Sequence, residues 1–113
     1  MIGQDFERLE LVLRLIAHLD RRLGTMSREA FLADLDEVDL TAFRLSAIGE
    51  TTNKLSAALK LRHPHIPWEK IYGMRNLITH DYGAIVPERL WAAFTDGLDD
   101  LAAICCAELA GEG

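Results

Sequence analysis

The chain has 113 residues, half of them apolar and 27% charged, with a formal net charge of −6. That length suits one domain spanning residues 1–113 around one core, and the composition excludes a disordered or low-complexity chain. The acidic total also excludes a protein that coats nucleic acid indiscriminately, because neutralisation of phosphates by Lys and Arg drives such binding.

From Asp5 to Leu23 the apolar residues Phe6, Leu9, Val12, Leu13, Ile16, Leu19 and Leu23 recur every three or four positions, with charged residues between them. This predicts an amphipathic helix ended by Gly24. Ser27 is a candidate N-cap for a short helix through Phe31 and Leu32, with Glu29 well placed in its first turn. Asp34, Asp36, Glu37 and Asp39 then read as a loop and the acidic start of a third helix. Leu40, Phe43, Ala47, Ile48, Thr51, Leu55, Ala58 and Leu59 keep helical spacing with no proline before Pro64, so this third helix is predicted to be the longest and the spine of the fold.

Arg62-His63-Pro64-His65-Ile66-Pro67 cannot be helical throughout, since proline lacks a donor and pushes its predecessor toward extended conformations. Pro67 suits the first position of a fourth helix, Trp68 to about Thr79. Gly83 and Pro87 bracket a turn, and Leu90, Trp91, Phe94, Leu98, Leu101 and Cys105 mark a fifth helix. No stretch alternates with period two. The expectation is an all-α, up-and-down bundle of about five helices. Val12, Leu45, Leu61 and Ile71 fall partly outside the main stripes, which fits either a homodimer interface or a broad core face.

Cys105 and Cys106 are adjacent in an apolar stretch, where an intrachain disulfide would be strained and would close almost no loop, so both are expected as reduced structural thiols. No apolar run approaches the roughly 20 residues of a membrane span, and Met1-Ile2-Gly3-Gln4-Asp5 does not resemble a signal peptide. A cytoplasmic protein without membrane association is expected.

Charge is unevenly spread. Between Lys54 and His80 the positives Lys54, Lys60, Arg62, Lys70 and Arg75 face Glu69 alone, a net +4, leaving −10 elsewhere. That stretch reads as a cationic surface on an acidic body or as solvated helix faces. It contains Gly73-Met74-Arg75-Asn76-Leu77-Ile78-Thr79-His80-Asp81-Tyr82-Gly83. Arginine presents a planar, permanently charged fork for phosphate oxygens and for the charge of a pentacoordinate transition state. Histidine titrates near neutrality and serves as general acid or base. Tyrosine offers a hydroxyl that orients phosphate or is itself modified. On an ideal helix Arg75 and His80 point about 140° apart, so they converge only if the helix ends near Thr79 or if two protomers pool residues across an axis.

The order arginine, four spacers, histidine, any residue, tyrosine resembles the motif of HEPN ribonucleases. Asn76 after the arginine, Ile48-Gly49-Glu50, Ile66-Pro67-Trp68, Met74-Arg75-Asn76 and the late Trp91 are similar to the HepT-like branch of that family. The resemblance implies a homodimeric toxin that cleaves RNA without metal or cofactor, the ribose 2′-hydroxyl attacking to leave a 2′,3′-cyclic phosphate. It assigns proton transfer to His80 and phosphate charge to Arg75, with Asn76, Asp81 and Tyr82 supporting. It also implies a minimal nucleotidyltransferase antitoxin as partner, which in some such pairs adds AMP to the motif tyrosine, here Tyr82.

His63, His65 and His80 do not form a convincing metal set, since Pro64 divides the first two and only Glu69 and Asp81 lie nearby. A glycine-rich phosphate loop, a paired-carboxylate site and a serine nucleophile motif are all missing. Two rival readings stand beside the enzyme: a non-catalytic HEPN module that binds nucleotide or partners a nucleotidyltransferase, and a plain helical dimerisation domain. Intact Arg75 and His80 favour the enzyme.

Overall fold

The computed structural model describes residues 4–112. These form α1 (Asp5–Leu23), α2 (Arg28–Leu32), α3 (Leu35–Asn53), α4 (Ala57–Arg62), α5 (Trp68–His80), a 3-10 turn (Tyr82–Ala84) and α6 (Pro87–Glu112). The all-α bundle expected from the periodicity is present, with six α-helices where about five were expected. No helix among the described residues is long and apolar enough to cross a membrane.

Local signals set most boundaries. Ser27 caps α2 by accepting from the Ala30 N–H, and Asp34 caps α3 by accepting from the Glu37 N–H. Pro67 serves as the N-cap of α5 rather than its first residue, and Pro87 takes the first position of α6. The predicted third helix is corrected: it stops at Asn53, and α4 is a separate element. The cause is a contact 51 residues away in sequence, in which the buried Asp5 carboxylate accepts from the Ser56 N–H (3.0 Å) and Ser56 Oγ (2.6 Å). Ser56 Oγ in turn accepts from the Leu59 N–H and starts α4. Two directed bonds satisfy a carboxylate that would otherwise be costly to bury. The longest helix is consequently α6, with 26 residues.

Arg8 donates to the Lys54 carbonyl at one end of α1 and Arg22 clamps Glu37 at the other, which fixes α1 and α3 as antiparallel neighbours. α6 covers α1 and α3, burying Leu90, Leu98, Leu101, Ile104 and Cys105. Trp91 closes the end near α2, its ring 5.2 Å from Phe31 and 5.7 Å from Phe94. Burial also pushes the Cys105 thiol up to about 12, whereas Cys106 is exposed. Of the apolar residues outside the stripes, Val12 and Leu45 belong to the core, Ile71 is half-buried and Leu61 is exposed. For the first two the broad core face is the correct alternative.

Candidate active site on the α5 helix

α5 lies antiparallel along α3. The close approach needs Gly49: a Cβ there would stand 2.6 Å from the Arg75 Cβ and 3.0 Å from the Ile71 carbonyl oxygen. The glycine in the last third of α3 therefore marks where the helix bearing the motif is seated.

Next to this crossing, Arg75 meets three groups. Its Nε lies 2.8 Å from Glu50 Oε2, an ion pair whose N–H is not aimed well enough to make a hydrogen bond, so that buried oxygen lacks a directed donor. Its Nη1 donates to Asn76 Oδ1 at 2.9 Å, and the guanidinium carbon sits 5.5 Å from the centre of the Tyr72 ring. These contacts hold the stem and one edge of the fork. No contact among the described residues engages Nη2, which leaves those donors for an anion.

His80 is the last residue of α5 and is exposed. The helix stays regular to that point, so His80 lies about 7.5 Å along the axis from Arg75 and about 140° around it. Asp81 caps the helix and is also exposed. Tyr82 stands beyond, in the 3-10 turn, 46% exposed, with its hydroxyl donating to Asp39 Oδ1. That hydrogen bond, reinforced by burial and by the Asp39 charge, raises the phenol above its ordinary value. Asp39 and Glu50 are eleven residues apart on α3, roughly 16 Å along its axis. Within one chain, then, Arg75 and Tyr82 reach α3 at two separate points, Glu50 and Asp39, while His80 points away from Arg75 around the helix. Arg75 and Asn76 are brought together; His80 and Tyr82 do not join them.

Tyr72 and Asp39 escaped the sequence reading. Tyr72 precedes Arg75 by three residues, a spacing that places neighbours on one helix face, and was legible in principle. Asp39 was hidden among four acids at the start of α3.

The cationic stretch is partly neutralised in the fold. Lys54 pairs with Glu50 at 3.6 Å, Arg62 is held by Glu108, and Lys60 donates to the Asn53 carbonyl. His63 Nε2 lies 2.7 Å from Glu108 Oε2. Arg62 and His63 together hold the Glu108 carboxyl down at about 2. Lys70 has no such partner among the described residues. It borders an apolar groove of about 230 Å³ whose walls include Leu45, Ile48, Ile71, Met74 and Leu98. A cavity of about 430 Å³ lies on another side of α5, reaching from Asn76 and Tyr72 to Lys60 on α4.

Comparison with known proteins matches this chain to a family model, "Ribonuclease HepT-like", over residues 12–107. The match covers α2 to α5, most of α1 and all but the end of α6, with the whole motif inside it, and the chain belongs to the HepT-like ribonuclease family. It is 27% identical over 93 residues to a protein of Caldanaerobacter subterraneus subsp. tengcongensis that bears the name "Putative RNase TTE0752", covering 82% of this chain and 83% of that one. No solved structure matches the chain significantly.

Proposed function

We propose that the protein is a metal-independent endoribonuclease acting as a homodimer, and the toxin of a toxin–antitoxin pair. One observation carries the reading: in a chain of the HepT-like ribonuclease family, Arg75 is braced by Glu50, Asn76 and Tyr72 with part of its fork unused, five residues before an exposed His80. Arg75 binds the scissile phosphate and offsets the charge that builds up in the transition state. His80 removes the proton of the 2′-hydroxyl or protonates the leaving 5′-oxygen. The attacking oxygen belongs to the substrate, and the products are a 2′,3′-cyclic phosphate and a free 5′-hydroxyl. Asn76 orients the guanidinium, and Asp81 and Tyr82 complete the motif around His80.

A composite site follows from the separation of the two residues. Arg75 and His80 of one protomer do not face one another, so a phosphate gripped by one Arg75 needs a second motif opposite it. The apolar groove beside α5, with Ile71 and Met74 in its wall and no side chain at Gly97, supports this face as the dimer contact.

The partner is a minimal nucleotidyltransferase antitoxin that inactivates the toxin by transferring AMP from ATP to the Tyr82 hydroxyl. The modification adds a phosphodiester charge and a nucleoside to the segment that carries the motif, and both oppose RNA binding.

The decisive experiment incubates purified wild type, Arg75→Ala and His80→Ala with RNA, with and without EDTA, and identifies the new 3′ ends. Each substitution is expected to lower cleavage by about 10²–10⁴-fold without unfolding the protein, and EDTA is expected to have no effect. Cleavage that needs metal and survives His80→Ala would overturn the mechanism. Sedimentation at micromolar concentration tests the dimer, and a fully active monomer would remove the composite site.

A further inference from the structure

Deepening the ribonuclease reading and resting on it, we propose that the cavity beside Arg75 is a nucleobase subsite. It receives one unpaired base of the RNA strand whose phosphate lies at Arg75.

The cavity occupies about 430 Å³ between the C-terminal end of α3, α4 and one face of α5, within the roughly 300–1,000 Å³ range of small-molecule sites. Trp68, Tyr72 and Asn76 line it from α5 at intervals of four residues, one above the next on a single helix face. Tyr72 and Asn76 are also the two α5 residues that touch Arg75, so the cavity opens next to the guanidinium rather than at a remote surface. Asn76 Oδ1 is taken by Arg75, and the amide donors are what Asn76 can offer a ligand. Aromatic rings beside a cationic group and side-chain amides form the usual apparatus for holding an unstacked base.

The walls are built in advance. The Trp68 indole N–H donates to the Lys60 and His63 carbonyls, at 3.3 and 3.1 Å, which fixes the ring. Lys60 Nζ is held by the Asn53 carbonyl at 2.9 Å on the opposite side. Glu69 at the rim adds an acceptor suited to the exocyclic amino group or ring N–H of a base.

Gly73 belongs to the same wall. It sits in the interior of α5, where glycine weakens a helix relative to alanine. Neither usual reason for such a glycine applies: a Cβ there would meet nothing within 4 Å, and the backbone is not left-handed. Gly73 lines this cavity, and also the edge of a second one with Lys70, Met74, Leu77 and Arg89, so a larger side chain there would take up open space beside Tyr72 and Asn76.

The test uses wild-type protein and a 2′-O-methyl RNA hexamer, which lacks the attacking hydroxyl and so reports binding alone. NMR titration is expected to shift the Trp68 indole and the Gly73 and Asn53 amides. Gly73→Leu, whose Cβ meets nothing and whose longer side chain takes up space in the cavity, is expected to weaken hexamer binding by about tenfold, as loss of one stacked base does, while Gly73→Ala is nearly silent. Lys60→Met, from the far wall, is expected to weaken binding about threefold. The proposal is overturned if the hexamer fails to bind, if the shifts lie elsewhere, or if Gly73→Leu binds as wild type does. It is overturned equally if free nucleoside monophosphates bind as tightly as the hexamer, since the site would then serve free nucleotides. Cleavage of unmodified RNA is scored separately. A protein that cleaves but ignores Gly73→Leu refutes the subsite and spares the ribonuclease, and one that binds through the cavity without cleaving does the reverse.

Discussion

Gly49 of α3 and Arg75 of α5 occupy the same crossing point, and a methyl group on the first would lie 2.6 Å from the Cβ of the second. The atoms met are the Cβ and backbone of α5 and not the tip of a flexible side chain, so the overlap is relieved only by moving one helix against the other. Gly49→Ala is expected to destabilise the fold by about 1–3 kcal/mol, the usual cost of overpacking, and to displace Arg75. Urea unfolding measures the first effect. Cleavage under conditions where the variant is fully folded measures the second, and a variant as stable and as active as wild type would contradict the seating of α5 on Gly49.

Glu50→Gln separates stability from positioning. The Glu50–Arg75 pair is partly exposed, 38% and 23% for the two side chains, and such pairs contribute no more than about 1 kcal/mol to folding. The unfolding midpoint should hardly move. Cleavage should fall about tenfold, because the guanidinium loses the anion that sets its angle toward the phosphate. The loss should appear in kcat more than in KM. An unchanged kcat would reduce Glu50 to a surface charge.

The Tyr82 hydroxyl is occupied by Asp39, so any enzyme that modifies it must break that hydrogen bond or use the carboxylate as proton acceptor. The raised phenol value means the protonated form is favoured by the fold. Its contribution to stability is present below the ordinary tyrosine value and is lost as pH rises through the folded one. In an ultraviolet titration Asp39→Asn should bring the Tyr82 transition down, and Tyr82→Phe should remove it. With the nucleotidyltransferase partner proposed above and ATP, intact mass should show one AMP on wild type and none on Tyr82→Phe. Equal labelling of both would place the modification elsewhere.

Glu108, held at about 2 by Arg62 and His63, ties the end of α6 to α4 and the loop after it. A depressed carboxyl contributes stability that is complete above its unfolded value of 4.5 and drains away as pH falls toward about 2. Wild type and Glu108→Gln should therefore differ in urea midpoint near neutrality and converge between about pH 4 and pH 2. A difference that persists at the acid end would mean that the ion triad is not its source.

Helix identity was legible from local signals in most places: the stripe of α1, the cap at Ser27, the acidic start of α3 and the proline before α5. What failed was the break between α3 and α4. The sequence from Leu40 to Leu59 keeps helical spacing throughout, and the chain is diverted where the buried carboxylate of Asp5, 51 residues away, takes hold of Ser56, the cap of α4. The site shows the same division. Arg75, Asn76, His80 and Tyr82 were visible as residue types in one segment. Their mutual separation was half-visible as a helical angle. The acids that receive Arg75 and Tyr82 were not, because α3 presents Glu50 and Asp39 from a distant part of the sequence.

The helix that carries the motif packs closely along α3 yet buries the fewest whole side chains of the long ones. Within α5 only Ile78 is buried, against seven residues of α1. Local opening follows the number of buried contacts, so amide protons of α5 should exchange well before those of α1. A second subunit docked over Ile71 and Met74 would slow that exchange, making hydrogen–deuterium protection of α5 a gauge of assembly.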